Sequence, residues 1–304
     1  MTIALTGATG FVGQAVLDEA GRRESPVRAL TRREQPRRES VTWVMGDLTS
    51  HEALADLLCG SEAMIHVAGL TSALDPAAFR TANVDGTAAL IAAMKRAKVR
   101  RLVFVSSLSA REPGLSAYGA SKAEAEKLVE GSGLDWTIVR PPGVYGPRDV
   151  DYFEMFRTAR RGVIPLPPRG ASSIIHVEDL ARLLLDLVDA PPALVRNRMF
   201  EPDDGREGGW AHAELAQAIG AAVGRKRLFA PHLPKSLMQH GARIDRLLRG
   251  DKARLTPDRV GYMAHPNWVA RSKHRVPPTV WEPRIAGEAG LAATARWYRE
   301  NGWY

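Results

Sequence analysis

A glycine-rich segment close to the N-terminus constrains the fold of this chain more than any other feature. Thr6-Gly7-Ala8-Thr9-Gly10-Phe11-Val12-Gly13 follows an apolar strand pattern and opens an amphipathic helical pattern. Glycines at such a turn let the backbone approach a pyrophosphate, and the N–H groups at the start of the helix bind the anion. The spacing is G-x-x-G-x-x-G instead of G-x-G-x-x-G, so the position between strand and helix carries the inference. The segment predicts a strand–turn–helix unit that binds phosphate groups.

The first half of the chain alternates short apolar or β-branched runs with longer helical patterns. Predicted strands are residues 2–6, 27–31, 41–46, 63–67, 101–106 and 135–140, and the helices between them are 11–21, 50–58, 76–97 and 116–131. This alternation is typical of βαβ units and a parallel sheet. We therefore expect an α/β fold with a Rossmann-type, doubly wound parallel sheet.

The domain organisation follows from a change of composition after residue 141. Proline and glycine become frequent there, before a helix at 177–189 and a strand at 198–201 return to the earlier pattern. The 304 residues are about twice the length of a typical single domain. We predict a dinucleotide-binding domain at 1–150, to which 171–203 returns. A smaller, mostly helical substrate-binding lobe is predicted for 151–170 and 204–304.

The end of the second predicted strand indicates which dinucleotide this fold takes. A site for NAD usually places Asp or Glu here, where the carboxylate accepts a hydrogen bond from the ribose 2′-hydroxyl. This chain has Thr31-Arg32-Arg33 instead, and guanidinium groups bind a 2′-phosphate bidentately. The residues favour NADP(H), with NAD(H) as the alternative. A second interpretation is that both arginines only solvate a loop.

Tyr118 and Lys122 stand four residues apart at the start of a predicted helix. Residues at this spacing share one face, and a positive charge beside a phenol lowers the pKa of the tyrosine. Upstream, Ser106 and Ser107 end an apolar strand, where a hydroxyl can orient a substrate carbonyl. The pattern predicts general acid/base chemistry, although Tyr and Lys also occur at this spacing by chance.

These segments occur in a fixed order with several others. They are TGATGFVG at 6–13, GDL at 46–48, HVAG at 66–69, NVDGT at 83–87, VSS at 105–107, YGASK at 118–122, RPPGVYGP at 140–147 and IHVEDLA at 175–181. In this combination the chain resembles the short-chain dehydrogenase/reductase superfamily, in its extended or atypical branch of NAD(P)-dependent epimerase/dehydratase-like proteins. The resemblance covers roughly residues 1–200.

The resemblance implies a role for each matching position. Tyr118 would be the general acid/base, Lys122 its pKa partner and a ribose contact, and Ser107 the hydroxyl that orients the carbonyl. Asn83 would be a structural helix residue. The implied cofactor contacts are Thr6, Gly7, Thr9, Gly10, Phe11, Val12 and Gly13; Thr31, Arg32 and Arg33; Asp47 and Leu48 at the adenine; Val67, Ala68 and Gly69 at the ribose or pyrophosphate; Ser106; and Pro141, Pro142, Gly143 and Val144 at the nicotinamide.

One departure from the family concerns the segment between the predicted catalytic residues. Ser107 and Tyr118 are eleven positions apart, whereas sugar-nucleotide epimerases have a considerably longer loop. The short loop resembles atypical members, including the nucleotide-binding accessory subunit of respiratory complex I, some of which bind a dinucleotide without known turnover.

The implied function is an NADP-dependent oxidoreductase that transfers hydride between the nicotinamide and a carbonyl or hydroxyl substrate. Two alternatives stay open. One is a non-catalytic NAD(P)-binding sensor or assembly subunit, and the other is a nucleotide-sugar epimerase or dehydratase.

Positive charge is unevenly distributed along the chain. The net charge is +8, of which +4 lies in residues 22–39 and +10 in residues 225–275. The first cluster spans the predicted 2′-phosphate site. The second is interpreted as solvated surface, as the rim of a site for an anionic small-molecule substrate, or as a surface for an acidic partner or a membrane. Nucleic acid is not expected, because no recognised binding motif accompanies the charge.

Within the second cluster, residues 236–249 form a weakly amphipathic basic helical pattern. Core packing is the expected use of its apolar side chains, Leu237, Ile244, Leu247 and Leu248. Cys59 follows two leucines, and we expect it to be buried.

The remaining composition narrows the class of protein. No stretch approaches about 18 uncharged apolar residues, so no membrane span is expected. Eight histidines and one cysteine show no zinc spacing, so no metal is expected. The N-terminus runs directly into a strand pattern, and the single cysteine cannot form an internal disulfide. We therefore expect a cytoplasmic protein, and the family resemblance allows a homodimer through the helices near 76–97 and 116–131.

Overall fold

The strands of the computed structural model, which describes residues 1–250, 253 and 255–304, follow the predicted alternation. In chain order they are β1 (Ile3–Thr6), β2 (Val27–Thr31), β3 (Val41–Met45), β4 (Ala63–His66), β5 (Arg101–Val105), β6 (Asp135–Val139), β7 (Gly143–Tyr145), β8 (Ala171–Ser172), β9 (Ile174–His176), β10 (Arg198–Phe200), β11 (Trp210–Ala211) and β12 (Asn267–Trp268).

Seven of these strands form one parallel sheet in the order β10-β6-β5-β4-β1-β2-β3. Strand β1 lies inside it, with Ile3 paired to Val27 on one side and to Ala63 on the other. The order reverses direction between β1 and β4, which is the topological switch point at which Rossmann-type sheets bind ligands. The sheet places the residues that follow β1 and β4 side by side at its carboxyl edge.

The helices are, in chain order, α1 (Phe11–Arg22), α2 (His51–Leu58), α3 (Pro76–Phe79), α4 (Gly86–Ala97), α5 (Ala117–Glu130), α6 (Asp151–Arg160), α7 (Val177–Asp189), α8 (Pro192–Val195), α9 (His212–Ala222), α10 (Lys235–Arg249), α11 (Pro257–Met263) and α12 (Gly287–Glu300). Side-chain caps set several starts. Ser50 accepts from the Ala53 N–H at α2, and Ser116 accepts from the Gly119 N–H at α5.

The long helix predicted for 76–97 is interrupted. A π-helical turn at Arg80–Asp85 separates α3 from α4. Its buried Asn83 uses its side-chain amide outside the helix, accepting from the Leu70 N–H at 2.7 Å and donating to the Leu70 carbonyl at 3.0 Å. The periodicity of the sequence does not reveal this turn, since the apolar residues continue at helical spacing across it.

The chain forms two compact units. The first comprises Met1–Arg140, Leu180–Glu201 and His274–Glu282, and the second comprises Pro141–Asp179, Pro202–Lys273 and Pro283–Tyr304. The first unit therefore ends ten residues before the predicted boundary at 150 and resumes at 180 instead of 171. The assignment of the second unit to substrate binding stays a prediction.

Each unit has its own apolar core. In the first unit, Leu54, Leu57, Met64, Phe104 and Ile138 belong to a cluster built from strands and from the helices that cover them. In the second unit, a cluster around Tyr145, Phe156, Trp210 and Tyr298 joins α6, α9 and α12.

Two predictions about burial are wrong. Cys59 is exposed, because α2 ends at Leu58 and the next residue leaves the helical conformation. The four apolar residues of α10 are also exposed, because the helix buries a different face, that of Met238 and Ala242. Asp251, Lys252 and Arg254 of the second basic cluster lie outside the described residues.

Among the described residues, no helix is long and apolar enough to cross a membrane. The same residues contain no group of three or more His, Cys, Asp or Glu that could hold a metal ion.

Candidate active site

The glycine-rich loop joins β1 to α1 with little space for side chains. Gly7 has a φ of +72°, and a Cβ there would lie 2.6 Å from the Ala68 backbone nitrogen. A Cβ on Gly13 would overlap the carbonyl oxygen of Gly7. Glycine is therefore required at Gly7 by its backbone conformation and at both positions by close packing.

The middle of this loop is open. Thr9 and Gly10 are exposed, and Gly10 is the N-cap residue of α1. Having no side chain, Gly10 cannot cap the helix, so the first N–H groups of α1 and the positive end of its dipole face the exposed side of the loop. This arrangement fits a phosphate group of a dinucleotide.

The end of β2 carries the residues expected to read the adenosine ribose. The Thr31 hydroxyl is buried and donates to the carbonyl of Arg33 at 2.7 Å, which turns the chain sharply. Arg32 and Arg33 are both exposed. Hydrogen bonds from Thr49 hold the pKa of Asp47 below its ordinary value, with a smaller contribution from the charge of Arg32. Arg32 and Asp47 are thus neighbours, as their predicted roles at one nucleotide require.

Leu48 and Val67, two further predicted cofactor contacts, each pack against a glycine. The Leu48 side chain packs against Gly86, where a Cβ would lie 2.8 Å from its Cδ1. The carbonyl carbon of Val67 lies 2.9 Å from the Cβ position of Gly7. The loops after β1 and β4 therefore touch, as the sheet order requires.

A buried hydrogen-bond relay connects the end of β1 to the π-helical turn. The Thr6 hydroxyl lies 2.6 Å from His66 Nδ1, and the Thr87 hydroxyl lies 3.1 Å from His66 Nε2. Because Thr87 donates to the carbonyl of Asn83 at 2.6 Å, it accepts from Nε2–H. This assignment makes Nδ1 the acceptor for Thr6, which in turn accepts from the Ala68 N–H at 3.3 Å.

The relay fixes His66 as a neutral ring. Burial, with a smaller contribution from the charge of Lys122, lowers its pKa to about 3. His66 is therefore a structural group that aligns β1 with β4.

The carboxyl end of β4 leads towards the predicted catalytic helix. A Cβ on Gly69 would lie 3.1 Å from Asn83 Oδ1 and 3.6 Å from Lys122 Nζ. Asn83 also donates to the Ser121 hydroxyl at 2.9 Å. Asn83 of the π-helical turn thus contacts both the loop at Gly69 and the first turns of α5. Gly69, a predicted ribose or pyrophosphate contact, therefore lies beside Lys122.

Lys122 is buried, and its ammonium group donates to the carbonyl of Val105 at 2.8 Å. It also lies over the ring of Phe104, 4.6 Å from the centroid. Burial lowers the pKa of Lys122 to about 8, and Glu126 on the next helical turn opposes that shift. The ammonium group of the lysine is therefore fixed at the end of β5, beside Val105, and Val105 precedes Ser107 by two residues.

Tyr118 lies in the first turn of α5, one turn before Lys122 on the same face. Its ring contacts Phe79 of α3, with 6.0 Å between the centroids. The side chain is half-buried. Packing against Phe79 limits the directions in which the phenol can point.

Ser107 is oriented by a residue that the sequence did not suggest. Its hydroxyl oxygen accepts from the Ser109 N–H at 3.2 Å and from the Ser109 hydroxyl at 2.9 Å. Since both contacts use lone pairs of Ser107, its own proton is left to donate. A serine in this state can donate to a carbonyl oxygen.

Ser106, whose predicted cofactor contact stays a prediction, has its hydroxyl engaged inside the first unit. Its hydroxyl donates to Glu126 at 2.5 Å. Glu126 also accepts two hydrogen bonds from Arg140, at 2.8 and 2.6 Å. This geometry supports the preference for Ser107 over Ser106 as the residue that faces a substrate.

The ion pair of Glu126 and Arg140 continues into the short segment between Ser107 and Tyr118. Glu201 lies 3.8 Å from Arg140 and 3.5 Å from Arg111, and the side chains of Glu126, Glu201 and Arg111 are almost fully buried. We call Arg111, Glu126, Arg140 and Glu201 the buried ion cluster. Sequence reasoning missed it, although Glu126 follows Lys122 at i+4 and so shares its face.

The residues expected at the nicotinamide belong to the second unit. Pro141 is buried there, and Gly143 and Val144 form β7 with Tyr145, paired in parallel with β9. A Cβ on Gly143 would overlap the hydroxyl of Tyr152. The structure thus gives Gly143 a packing role, and its cofactor contact stays a prediction, as does that of Pro142.

Comparison with known proteins places this geometry among nucleotide-dependent enzymes. The family model for NAD(P)H-binding proteins matches residues 7–191. A ceramide reductase of Caulobacter vibrioides is 33% identical, over 99% of this chain and 95% of that protein. A 2-alkyl-3-oxoalkanoate reductase of Stenotrophomonas maltophilia is 28% identical, over 96% of this chain and 97% of that protein.

Solved structures agree on the fold. A UDP-glucuronic acid 4-epimerase from Bacillus cereus, in complex with UDP-glucuronic acid and NAD, superposes with a TM-score of 0.75 at 16% identity. The match covers 99% of this chain and 100% of that one. It confirms the predicted Rossmann-type α/β fold.

Proposed function

The chain belongs to the NAD(P)H-binding, extended short-chain dehydrogenase/reductase family, and we propose that it is an NADPH-dependent reductase of a ketone on a lipid-like substrate. Its reductase and epimerase relatives make it an NAD(P)-dependent enzyme of the oxidoreductase/epimerase class, as expected from the motifs. The cofactor phosphate preference, the substrate and the residue roles are the new parts of the proposal.

Arg32 and Arg33 support the choice of NADPH. Both are exposed at the end of β2, where a carboxylate would repel a 2′-phosphate. The nearby carboxylate of Asp47 follows β3 instead of β2, and its Oδ1 accepts hydrogen bonds from Thr49. Two arginines at the end of β2 therefore support a site for the 2′-phosphate by which NADP differs from NAD.

The position of Lys122 is the observation that carries the catalytic proposal. Its ammonium group is fixed at the carbonyl of Val105, which precedes Ser107 by two residues. Lys122 itself follows Tyr118 by one turn of α5. These three side chains come from the end of β5 and the start of α5, which the Ser116 cap and Asn83 hold in place.

In the proposed reaction, Ser107 donates a hydrogen bond to the ketone oxygen and holds it in place. A bound NADPH supplies the hydride for the carbonyl carbon. Tyr118 gives its proton to the oxygen, so that the carbon–oxygen double bond becomes an alcohol. Lys122 lowers the pKa of Tyr118 by its positive charge and so stabilises the phenolate that remains, which takes a proton from solvent.

The substrate class is proposed from the relatives that this chain matches over nearly its whole length. Their names specify ceramide and a 2-alkyl-3-oxoalkanoate, both of which carry alkyl chains. The basic segment 225–275 favours a substrate with an anionic group. A cytoplasmic location and a homodimer through α4 and α5 complete the proposal.

A nucleotide-sugar epimerase is the second candidate, because structural neighbours of this fold bind UDP-sugars. The short segment between Ser107 and Tyr118 argues against it, since two turns of 3₁₀ helix, at Leu108–Arg111 and Pro113–Leu115, occupy most of that segment.

Cofactor consumption by the purified protein tests the proposal. We expect oxidation of NADPH in preference to NADH with long-chain 3-ketones, and no interconversion of UDP-sugars. Tyr118→Phe should lower kcat by about 10²–10⁴-fold while NADPH still binds, because only the proton donor is lost. Binding of NADPH without turnover of any ketone would favour the non-catalytic alternative instead.

A further inference from the structure

Helix α10 carries a stripe of apolar side chains that the second unit does not cover. Leu237, Ile244, Leu247 and Leu248 are 53%, 57%, 84% and 78% exposed. Ile244 and Leu248 follow Leu237 by seven and eleven residues, which places all three on one face of a helix with 3.6 residues per turn. Leu247 borders this face. We call these four residues the apolar stripe.

The helix is anchored through a different face. Met238 and Ala242, four residues apart, are buried against Val260 of α11, with Leu233, Leu255 and Met263 around them. This small cluster fixes the rotation of α10 about its own axis. The apolar stripe is consequently held outward and cannot turn into this cluster without unpacking Met238.

Basic side chains lie on the other sides of the same helix. Lys235, Arg243, Arg246 and Arg249 are exposed on the same helix. Asp245 is the one acidic residue in the helix sequence, and it pairs with Arg249 at 3.2 Å. The helix therefore combines a strongly positive side with an apolar side, as interfacial helices at anionic membranes do.

We propose that α10 docks the protein on an anionic lipid bilayer, with the apolar stripe inserted among the acyl chains and the arginines at the headgroups. Arg243, one helical turn before Leu247, borders the apolar stripe, and its long side chain can reach phosphate groups. An anionic surface complements their charge. This inference rests on the proposed function, because an enzyme that reduces a lipid-like ketone would meet its substrate at the surface of a membrane.

Charge distinguishes this occupant from a second copy of the chain. A two-fold symmetric contact through the apolar stripe would bring Arg243, which borders the stripe near its middle, close to the same residue of the second helix. Like charges at an interface oppose association. A bilayer containing anionic lipid has no such cost, and it covers the same apolar residues.

Co-sedimentation with vesicles tests the proposal without any reaction. The full chain is mixed with vesicles of phosphatidylcholine alone, or with about a third phosphatidylglycerol. We expect binding to the anionic vesicles that weakens with added salt. Replacing Leu247→Ser and Leu248→Ser together should lower that binding by about tenfold or more, because two leucines no longer enter the bilayer. Arg243→Gln with Arg246→Gln should lower it about tenfold and remove most of its salt dependence.

Val150→Ser is the matched control, since Val150 is 57% exposed in the same unit but lies outside α10. It should bind vesicles as the wild type does. Wild-type protein that ignores both kinds of vesicle, or leucine variants that bind as well as wild type, would overturn the proposal. So would a wild-type dimer, seen by analytical ultracentrifugation, that the leucine substitutions dissociate while vesicles remain unbound.

Turnover of a short, water-soluble ketone separates this inference from the proposed function. The leucine variant should reduce such a ketone with unchanged kcat and KM, because Leu247 and Leu248 have no part in the proposed chemistry. Turnover without vesicle binding removes only the membrane inference. Vesicle binding without turnover of any ketone removes only the proposed function.

Discussion

The catalytic helix α5 of the first unit and helix α10 of the second place their charges in opposite environments. On α5, Lys122 and Glu126 are buried, and each is bonded to a group at the end of a strand, Val105 or Arg140. On α10, the arginines are exposed beside apolar residues that are exposed too. Charges in a low-dielectric interior need fixed partners, whereas surface charges remain available to a partner outside the chain.

The difference separates two uses of charge in one protein. The buried charges of the first unit determine positions: they hold Ser106, the short segment with Arg111 and the start of α5 around Lys122. The exposed charges of α10 do not position any group of the proposed active site. Substitutions should therefore have large effects on stability in the first region and small ones in the second.

The largest expected effect comes from the buried ion cluster. Glu126→Gln leaves Arg140 with Glu201 alone at 3.8 Å, and we expect the free energy of unfolding to fall by about 3–5 kcal/mol. Glu124→Gln on the same helix breaks a pair with Arg80 in which both side chains are largely exposed. Urea unfolding of both variants measures the contrast. Equal stability of the two variants would contradict the role given to the cluster.

A smaller effect concerns the dependence of stability on pH. Because burial lowers the pKa of His66 to about 3, the unfolded chain binds a proton between pH 6.5 and 3 that the folded chain excludes. The contribution of His66 to the free energy of unfolding is therefore fully present above about pH 6.5. It falls as the pH falls, by about 2 kcal/mol at pH 5.

Unfolding measured at pH 7 and pH 5 checks this prediction. His66→Gln should remove most of the histidine contribution to the difference. His240→Gln is the control, because His240 is exposed on α10, and it should leave the difference unchanged. A His66→Gln variant with the same stability difference between the two pH values as the wild type would show that His66 is not held as a neutral buried ring.

The smallest of these effects is on cofactor selection. Arg32→Ser with Arg33→Ser should reduce kcat/KM for NADPH by about tenfold or more, since hydrogen bonds to a charged phosphate are lost. The value for NADH should change little. Arg96→Ser, an exposed arginine on α4, serves as the control and should alter neither. Equal losses with both cofactors would place these arginines away from the 2′-phosphate.

Much of the first unit could be predicted from the sequence because its constraints are local. A glycine with positive φ at Gly7, a strand before it and a helix after it specify one kind of turn. The strand and helix alternation then leads to a parallel sheet, and the order of the motifs to the family. Helical spacing predicted that Lys122 and Tyr118 share one face, and the family resemblance supplied their expected roles.

What the sequence could not supply depends on contacts between distant residues. The buried ion cluster joins Arg111, Glu126, Arg140 and Glu201, which no spacing rule connects. Likewise, the orientation of Ser107 comes from Ser109, and the π-helical turn at Asn83 from its bonds to Leu70. On α10, the hydropathy pattern shows an apolar face but does not tell whether another part of the chain covers it.

Transfer of deuterium from labelled cofactor tests the central claim most directly. The wild-type protein is incubated with NADPH deuterated at the transferred position of C4 and with a long-chain 3-ketone, and the product is analysed by mass spectrometry. We predict an alcohol that carries one deuterium on the former carbonyl carbon, and almost none with Tyr118→Phe. Deuterium that stays on the cofactor although NADPH and ketone are both bound would contradict the claim that this chain is an NADPH-dependent reductase.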